Sequence, residues 1–373
     1  MPKAKIAIVC PYPQGISPGQ RFRFEQYLNY LNQHDINYQI FAFLTPDSYA
    51  VLYQPGNYFA KVMAVLRGFF IRILLLFKLY QFTHIWLYRE ATPFGFPWFE
   101  WVATKIARKP LIFDFDDAIW RPQFNDKQGA KINQWFNWFR YHANTAKICK
   151  WASIVTCGNQ FLCNWAMQYN KNVRLIPTTI DTDNLHHPQK NHTQAQAPQP
   201  LVIGWTGTHT TLYFLEPLYP VITQLVQKYP HLNLQLRIIA NTPPKFTAPW
   251  LQFVKWQKQT EIADLLSFDI GVMPLYNTEW EQGKCGFKAL QYMALGIPAA
   301  VSPVGVNNQI VKHQQNGLLA QTPEEWFNCL EALILNPQTR QKLGQAGRQT
   351  VLQNYSVQSN KNKYLLLFTK EYI

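Results

Sequence analysis

The chain has 373 residues, 47% hydrophobic and 15% aromatic, which excludes global disorder and is enough for two domains of ordinary size. Only 15% of residues are charged, yet the balance is +14, which points to an anionic partner: a nucleotide, a nucleic acid or an acidic lipid. The six cysteines show no CxxC pairing, so neither a zinc site nor a disulfide framework is legible, and reduced thiols in a cytosolic compartment are expected.

The first residues, MPKAKIAIVCPYP, join a basic pair to an apolar run too short for a signal peptide. Residues 6–10, closed by Pro11, predict a buried parallel strand. A Gly/Pro/Ser-rich loop over 13–19 follows, and then Phe24, Tyr27, Leu28 and Leu31 recur at helix spacing, with Arg21 and Arg23 at the helix entrance. Further buried-strand runs lie at 38–43, 84–88, 111–115, 154–157 and 173–176, alternating with helical segments. The polar, proline-flanked stretch 188–200 reads as a linker. Strand runs then resume at 201–205, 234–240, 269–273, 299–302 and 318–320, and the chain is helical from Gln338 onward. This alternation predicts an α/β protein of two doubly wound parallel sheets joined near residue 195.

The segment 58–82 is strongly apolar but carries Lys61, Arg67, Arg72 and Lys78, so no uninterrupted run approaches the ~18 residues of a spanning helix. At helical spacing the four cations fall within roughly 140° of arc. That suits either a helix lying on an anionic membrane or a buried helix with snorkelling cations.

Two kinds of loop carry chemistry. The first is Gly283-Lys284-Cys285-Gly286-Phe287-Lys288, which leads into a helix-period segment at 289–295. A glycine loop entering a helix leaves N–H groups at the positive end of the helix dipole, and with two flanking lysines this is a site for a diphosphate. The plainer reading is an ordinary loop–helix–strand unit with solvated lysines. Gly204-Trp205-Thr206-Gly207-Thr208-His209 opens a second helix after a strand, as a phosphate donor or simply as a capped end. The second kind follows strands of the first half: Arg89-Glu90, and Asp114-Phe115-Asp116-Asp117. Asp114 and Asp116 alternate as metal-binding aspartates do; alternatively Asp116 or Asp117 orients an acceptor or takes its proton without metal, and at least one of the three caps a helix. Arg21 and Arg23 either reach a phosphate or solvate the surface, and Gly15 or Gly19 admits close backbone approach to a ligand.

The pattern Trp280…Gly283-Lys284-Cys285…Lys288…Leu290-Gln291-Tyr292-Met293-Ala294…Gly296…Pro298 resembles the donor-site signature of glycosyltransferase family 4. The resemblance implies the GT-B fold, two Rossmann-like domains with a cleft between them: 1–190 on the acceptor side and 200–355 on the donor side, with 356–373 crossing back to the first. It implies transfer of a sugar from a UDP- or GDP-linked donor to a saccharide or lipid-linked acceptor, with retention and without a metal or other cofactor. Gly207, Thr208, Lys284, Cys285, Gly286, Phe287, Lys288, Gln291, Gly15 and Arg21 are then the donor-binding residues, and Asp116, Asp117 and Glu90 the catalytic ones. The family's usual pair of glutamates is absent here: Gly283 and Gln291 occupy those positions, with Glu281 nearby. The implied setting is polysaccharide, lipopolysaccharide or glycolipid assembly at the cytoplasmic face of an anionic membrane contacted by 58–82. A nucleotide-sugar epimerase or a non-catalytic nucleotide-sugar-binding protein fits the same fold. A nucleic-acid binder is disfavoured because the basic residues are scattered.

Overall fold

The computed structural model describes residues 4–52, 56–121, 143–188 and 200–368. The chain forms two compact units, Met1–Thr178 with Asn360–Ile373, and Thr179–Ser359. Most of the expected linker, 189–199, lies outside the described residues.

In the first unit six parallel strands, β1 (Lys5–Cys10), β2 (Asn37–Ala42), β3 (His84–Tyr88), β4 (Leu111–Phe115), β5 (Ile154–Cys157) and β6 (Val173–Leu175), lie in the order β2-β1-β3-β4-β5-β6. The central strands β3, β4 and β5 are buried along their whole length, as expected where helices cover both faces of a parallel sheet. The strand order reverses between β1 and β3, so the crevice for a ligand opens at the carboxyl ends of those two strands.

The second unit holds β7 (Leu201–Thr206), β8 (Leu234–Ala240), β9 (Leu251–Lys255), β10 (Ile270–Met273), β11 (Ala299–Val301) and β12 (Leu318–Leu319), ordered β12-β11-β10-β7-β8-β9. This is the dinucleotide-type Rossmann order, and its switch point falls between β7 and β10. Ile203, Trp205, Leu236, Ile238 and Val272 from the sheet pack with Ile222 and Leu330 from the helices in one core.

Three local features differ from the sequence reading. The run from Phe24 to Leu31 is not one helix: a Pro18–Arg23 helix ends at Phe24, a 3₁₀ turn spans Glu25–Tyr27, and a second helix runs Leu28–Gln33. β9 was not expected, because as a half-exposed edge strand it lacks the continuous apolar run of its neighbours. The donor-side helix begins two residues earlier than its apolar period suggests, at Phe287–Ala294, with Gly286 as N-cap.

A 21-residue helix, Tyr58–Lys78, packs on the first unit through Ala64, Gly68, Arg72 and Leu75. Arg72 does not belong to a solvent-facing cation stripe. It is fully buried and donates to the carbonyls of Cys10, Phe41 and Ala91 at 2.8–3.0 Å. The helix Val357–Leu366 also reaches this unit: Tyr364 is fully buried, stacked on Tyr27 with ring centres 4.0 Å apart, and Tyr30 donates to Asn362 at 2.7 Å. All six cysteines are buried and free.

Candidate functional site

In the first unit the expected acidic residues gather beyond the carboxyl ends of β3 and β4. Tyr88, the last residue of β3, is buried, and its hydroxyl donates to Asp116 Oδ1 at 2.7 Å. Arg89 turns into the left-handed region (φ 58°), uncommon for a residue with a side chain, and its Nη2 reaches Asp116 Oδ1 at 3.2 Å and Asp117 Oδ2 at 2.5 Å. Its backbone N–H is fixed to the Asp114 carbonyl at 2.9 Å. Burial by itself would raise the Asp116 carboxyl, but Arg89, Arg23 and the Tyr88 hydroxyl hold it below the ordinary carboxylate range. Asp116 therefore stands ready as an anion at neutral pH. Glu90 is half-buried and accepts from Thr145 Oγ1 at 2.9 Å.

The Gly/Pro-rich loop after β1 meets this cluster. A Cβ on Gly19 would stand 2.1 Å from the Tyr88 hydroxyl and 3.3 Å from Asp116 Oδ2. Gly15 adopts φ 80°, and its N–H is held by Glu25 Oε2 at 2.8 Å. Arg21 is half-buried over the Phe22 ring at 5.0 Å.

Two sequence readings are corrected here. Arg23 neither solvates the surface nor is free to meet a phosphate. It is fully buried, forks onto Asp114, and donates to the Ile176 carbonyl. Asp114 is not paired with Asp116 as a metal ligand: both its oxygens are engaged by Arg23, and Thr156 donates to it at 2.6 Å. Alternation in a strand sends these two side chains to one face, but an internal arginine claims the first.

In the second unit the expected donor residues lie around the carboxyl ends of β7 and β10. Gly207 follows β7 and packs so tightly that a Cβ would meet Trp205 at 2.3 Å and Thr211 Oγ1 at 2.8 Å. Thr208 is extended and its N–H donates to Thr211 Oγ1 at 3.1 Å. Gly286 sits at φ 67°, with Ile310 Cδ1 only 2.3 Å from where a Cβ would be. Only glycine satisfies both the left-handed turn and that contact. Phe287 and Lys288 form the first turn of the helix that follows. Lys288 Nζ lies 5.3 Å from the Trp205 ring, and Lys284 Nζ lies 5.8 Å from Phe214 and 5.7 Å from Trp280. Both lysines are half-buried, while Cys285 is buried.

Gln291 stands one turn into this helix. It is buried, and among the described residues its Nε2 has no hydrogen-bond partner. Asn307, which the sequence reading missed, is also fully buried beside Gly286; its Nδ2 donates to the Ser302 carbonyl at 3.0 Å while its Oδ1 has no partner. Buried amide atoms are rarely left unpaired, so two of them near one lysine loop mark a place for a polar ligand or ordered water. No sequence signal singled out Asn307, because asparagines are common in loops. Glu281 is committed within the protein: it is buried, and the hydroxyls of Tyr213 and Thr278 donate to its two oxygens.

The arrangement can bind and stabilise a polyanion in the second unit and hold a deprotonated carboxylate in the first. Residues 201–336 match a family model described as Glycosyl transferases group 1. The glycosyltransferase 1 domain-containing protein 1 of Xenopus tropicalis is 27% identical over 78 residues, 21% of this chain and 23% of that protein, so the match spans less than a quarter of the relative's length. Across almost the whole chain the structure is similar to sucrose-phosphate synthase from Thermosynechococcus elongatus (TM-score 0.72, 14% identity, 98% of each chain). It is similar to HepE of Anabaena in complex with UDP and glucose (TM-score 0.66, 13% identity, 99% of this chain and 100% of that one). It also resembles the catalytic domain of starch synthase IV from Arabidopsis thaliana bound to ADP and acarbose (TM-score 0.66, 12% identity, 99% of each). The fold is GT-B, and the match to the Glycosyl transferases group 1 model falls within its second unit.

Proposed function

We propose that this chain transfers a sugar from a UDP- or GDP-linked donor to an acceptor hydroxyl, with retention and without a metal ion. The observation that carries the reading is the left-handed Gly286 turn, which starts a helix between Lys284 and Lys288 that bears, one turn on, a buried Gln291 amide nitrogen with no partner among the described residues. Solved structures of similar fold hold UDP, UDP-glucose or ADP, which fits a nucleoside diphosphate at this place.

In this mechanism the lysines and the first-turn amides of Phe287 and Lys288 stabilise the diphosphate as it leaves with growing negative charge. Gln291 donates its free amide to a ribose hydroxyl. Gly207 lets the turn it shares with Thr208 approach the diphosphate closely, the two N–H groups themselves being donated within the unit to the Ile239 carbonyl and to Thr211 Oγ1. On the first unit Asp116, fixed by Tyr88 and Arg89, accepts the proton of the acceptor hydroxyl, with Asp117 and Glu90 orienting the acceptor. Two lysines already balance the diphosphate, so the chemistry needs no cation. The acceptor is a saccharide or a lipid-linked saccharide, in polysaccharide, lipopolysaccharide or glycolipid assembly on the cytoplasmic side of an anionic membrane, with 58–82 as the contacting segment.

A second reading, a nucleotide-sugar-binding protein without turnover, is favoured by one observation. Gly283 stands where a donor-contacting glutamate is usual, and the adjacent Glu281 is tied up by Tyr213 and Thr278. Calorimetry with UDP, GDP and ADP, with EDTA and with added magnesium, followed by a product assay, separates the two. Tight, EDTA-insensitive binding of one nucleotide that Lys288→Ala abolishes supports the donor site, and sugar transfer then distinguishes enzyme from binder. Binding that requires a cation and ignores Lys288 rejects this mechanism.

A further inference from the structure

The Tyr58–Lys78 helix buries one face and leaves the other bare. Phe59, Met63, Leu66, Phe70, Leu74 and Phe77 are all exposed, Phe59 by 80% and Phe77 by 75%. At 100° per residue these six lie within an arc of roughly 80°, opposite the buried Ala64, Gly68, Arg72 and Leu75. The face is about 30 Å long. No helix among the described residues is long and apolar enough to cross a membrane. A row of exposed large apolar side chains of this length, on one helix, marks an interaction surface rather than ordinary surface scatter.

Charge identifies the partner. Between residues 58 and 109 the only acids are Glu90 and Glu100. Glu100 is fully buried and Glu90 is half-buried against Thr145. Arg67 and Lys78 are exposed and fall beside the apolar row, on one flank of it. Pairing this face with a second copy about a two-fold axis would bring the same cations together with no acid on the helix to answer them. A surface with an apolar interior and an anionic rim meets both demands.

We propose that this face lies in the interface of an anionic lipid bilayer, with the six apolar side chains among the acyl chains and Arg67 and Lys78 at the phosphates. Arg72 fixes where the bilayer sits. By holding the carbonyls of Cys10, Phe41 and Ala91, it pins the helix to the carboxyl ends of β1 and β2 and to the turn after β3. That is the edge of the first sheet on which Tyr88, Arg89 and Asp116 stand. The bilayer is thus held to the acceptor side of the first unit. This deepens the membrane-contact part of the proposed function and rests on it.

The test is flotation of the full chain with phosphatidylcholine vesicles containing or lacking ~30% phosphatidylglycerol, without nucleotide. The wild type is expected to float with the anionic vesicles and at least ~10-fold less with neutral ones. Phe70→Asp with Phe77→Asp should abolish flotation while keeping the wild-type circular dichroism; Phe70→Leu with Phe77→Leu should keep it. Arg67→Glu with Lys78→Glu should weaken it and remove its salt dependence. No flotation of the wild type overturns the proposal, as does equal binding to neutral vesicles. A dimer in sedimentation that the Asp substitutions dissolve, with no lipid binding, assigns the face to a second copy and also overturns it. UDP and GDP calorimetry on the same samples reads the donor site independently, so either proposal can fail without the other.

Discussion

Arg23 and Asp114, 91 residues apart in the chain, meet as a fully buried fork, with Nη2 2.5 Å from Oδ1 and Nε 3.2 Å from Oδ2. The pair ties the Pro18–Arg23 helix to the central strand β4, directly behind Asp116. Removing one partner leaves an uncompensated charge in a dry place, which costs about 3–5 kcal/mol. Arg23→Met and Asp114→Leu should each lower the unfolding free energy by that amount in urea titration. The double variant should recover part of the loss, because it strands no charge.

Asp116 is the expected proton acceptor, held anionic by Arg89 and Tyr88. Asp116→Asn should reduce kcat by about 10²–10⁴-fold. Nucleotide affinity, measured by calorimetry, should stay within twofold, because the nucleotide binds through the other unit. Loss of both together would show that Asp116 acts on folding or on the donor.

Gly286→Ala places a methyl against Ile310 in a left-handed turn. Diphosphate nucleotide affinity should fall at least ~10-fold, as for Lys288→Ala, since both disturb the same helix start. Lys258→Ala, an exposed lysine of the same unit, should leave the affinity unchanged.

Glu100 gives a pH signature. Burial pushes its carboxyl up from 4.5 to about 7; the Ala91 N–H and Arg72 oppose this and Glu90 adds to it. Between those values the folded protein holds a proton that the unfolded chain has released, so stability falls as pH rises through that window and levels off above it. The difference amounts to ~3 kcal/mol. Glu100→Gln should flatten the profile between pH 5 and 8, measured by urea unfolding at each pH. Asp116 has the opposite sign: held below 3.8, it stabilises above that value, and its contribution disappears as pH falls through its lower folded pKa.

The strands were legible wherever burial is two-sided. The runs at 84–88, 111–115 and 154–157 match β3, β4 and β5 to the residue, because a central parallel strand is buried along its whole length and mostly apolar; 234–240 matches β8 as well, through its buried Leu234, Leu236 and Ile238–Ala240 although Gln235 and Arg237 interrupt it. β9 escaped because an edge strand need not be. The lysine loop was legible as glycine before a helix period. The positions of Arg23 and Arg72 were not: an arginine in an apolar stretch reads as a snorkelling side chain, and only the folded sheet reveals the carboxylate or carbonyls that make burial tolerable. Asn307 was equally silent, since its unpaired oxygen is a property of its neighbours.

The Tyr364–Tyr27 stack has a consequence for how the chain is made. The second unit, Thr179–Ser359, is continuous and can close as soon as it leaves the ribosome. The first unit is synthesised earlier, but its core is incomplete until Tyr364 and Phe368 arrive to cover Trp86. Completion therefore runs in the reverse order of synthesis, and the half bearing Asp116 waits for a helix made after the whole of the second unit.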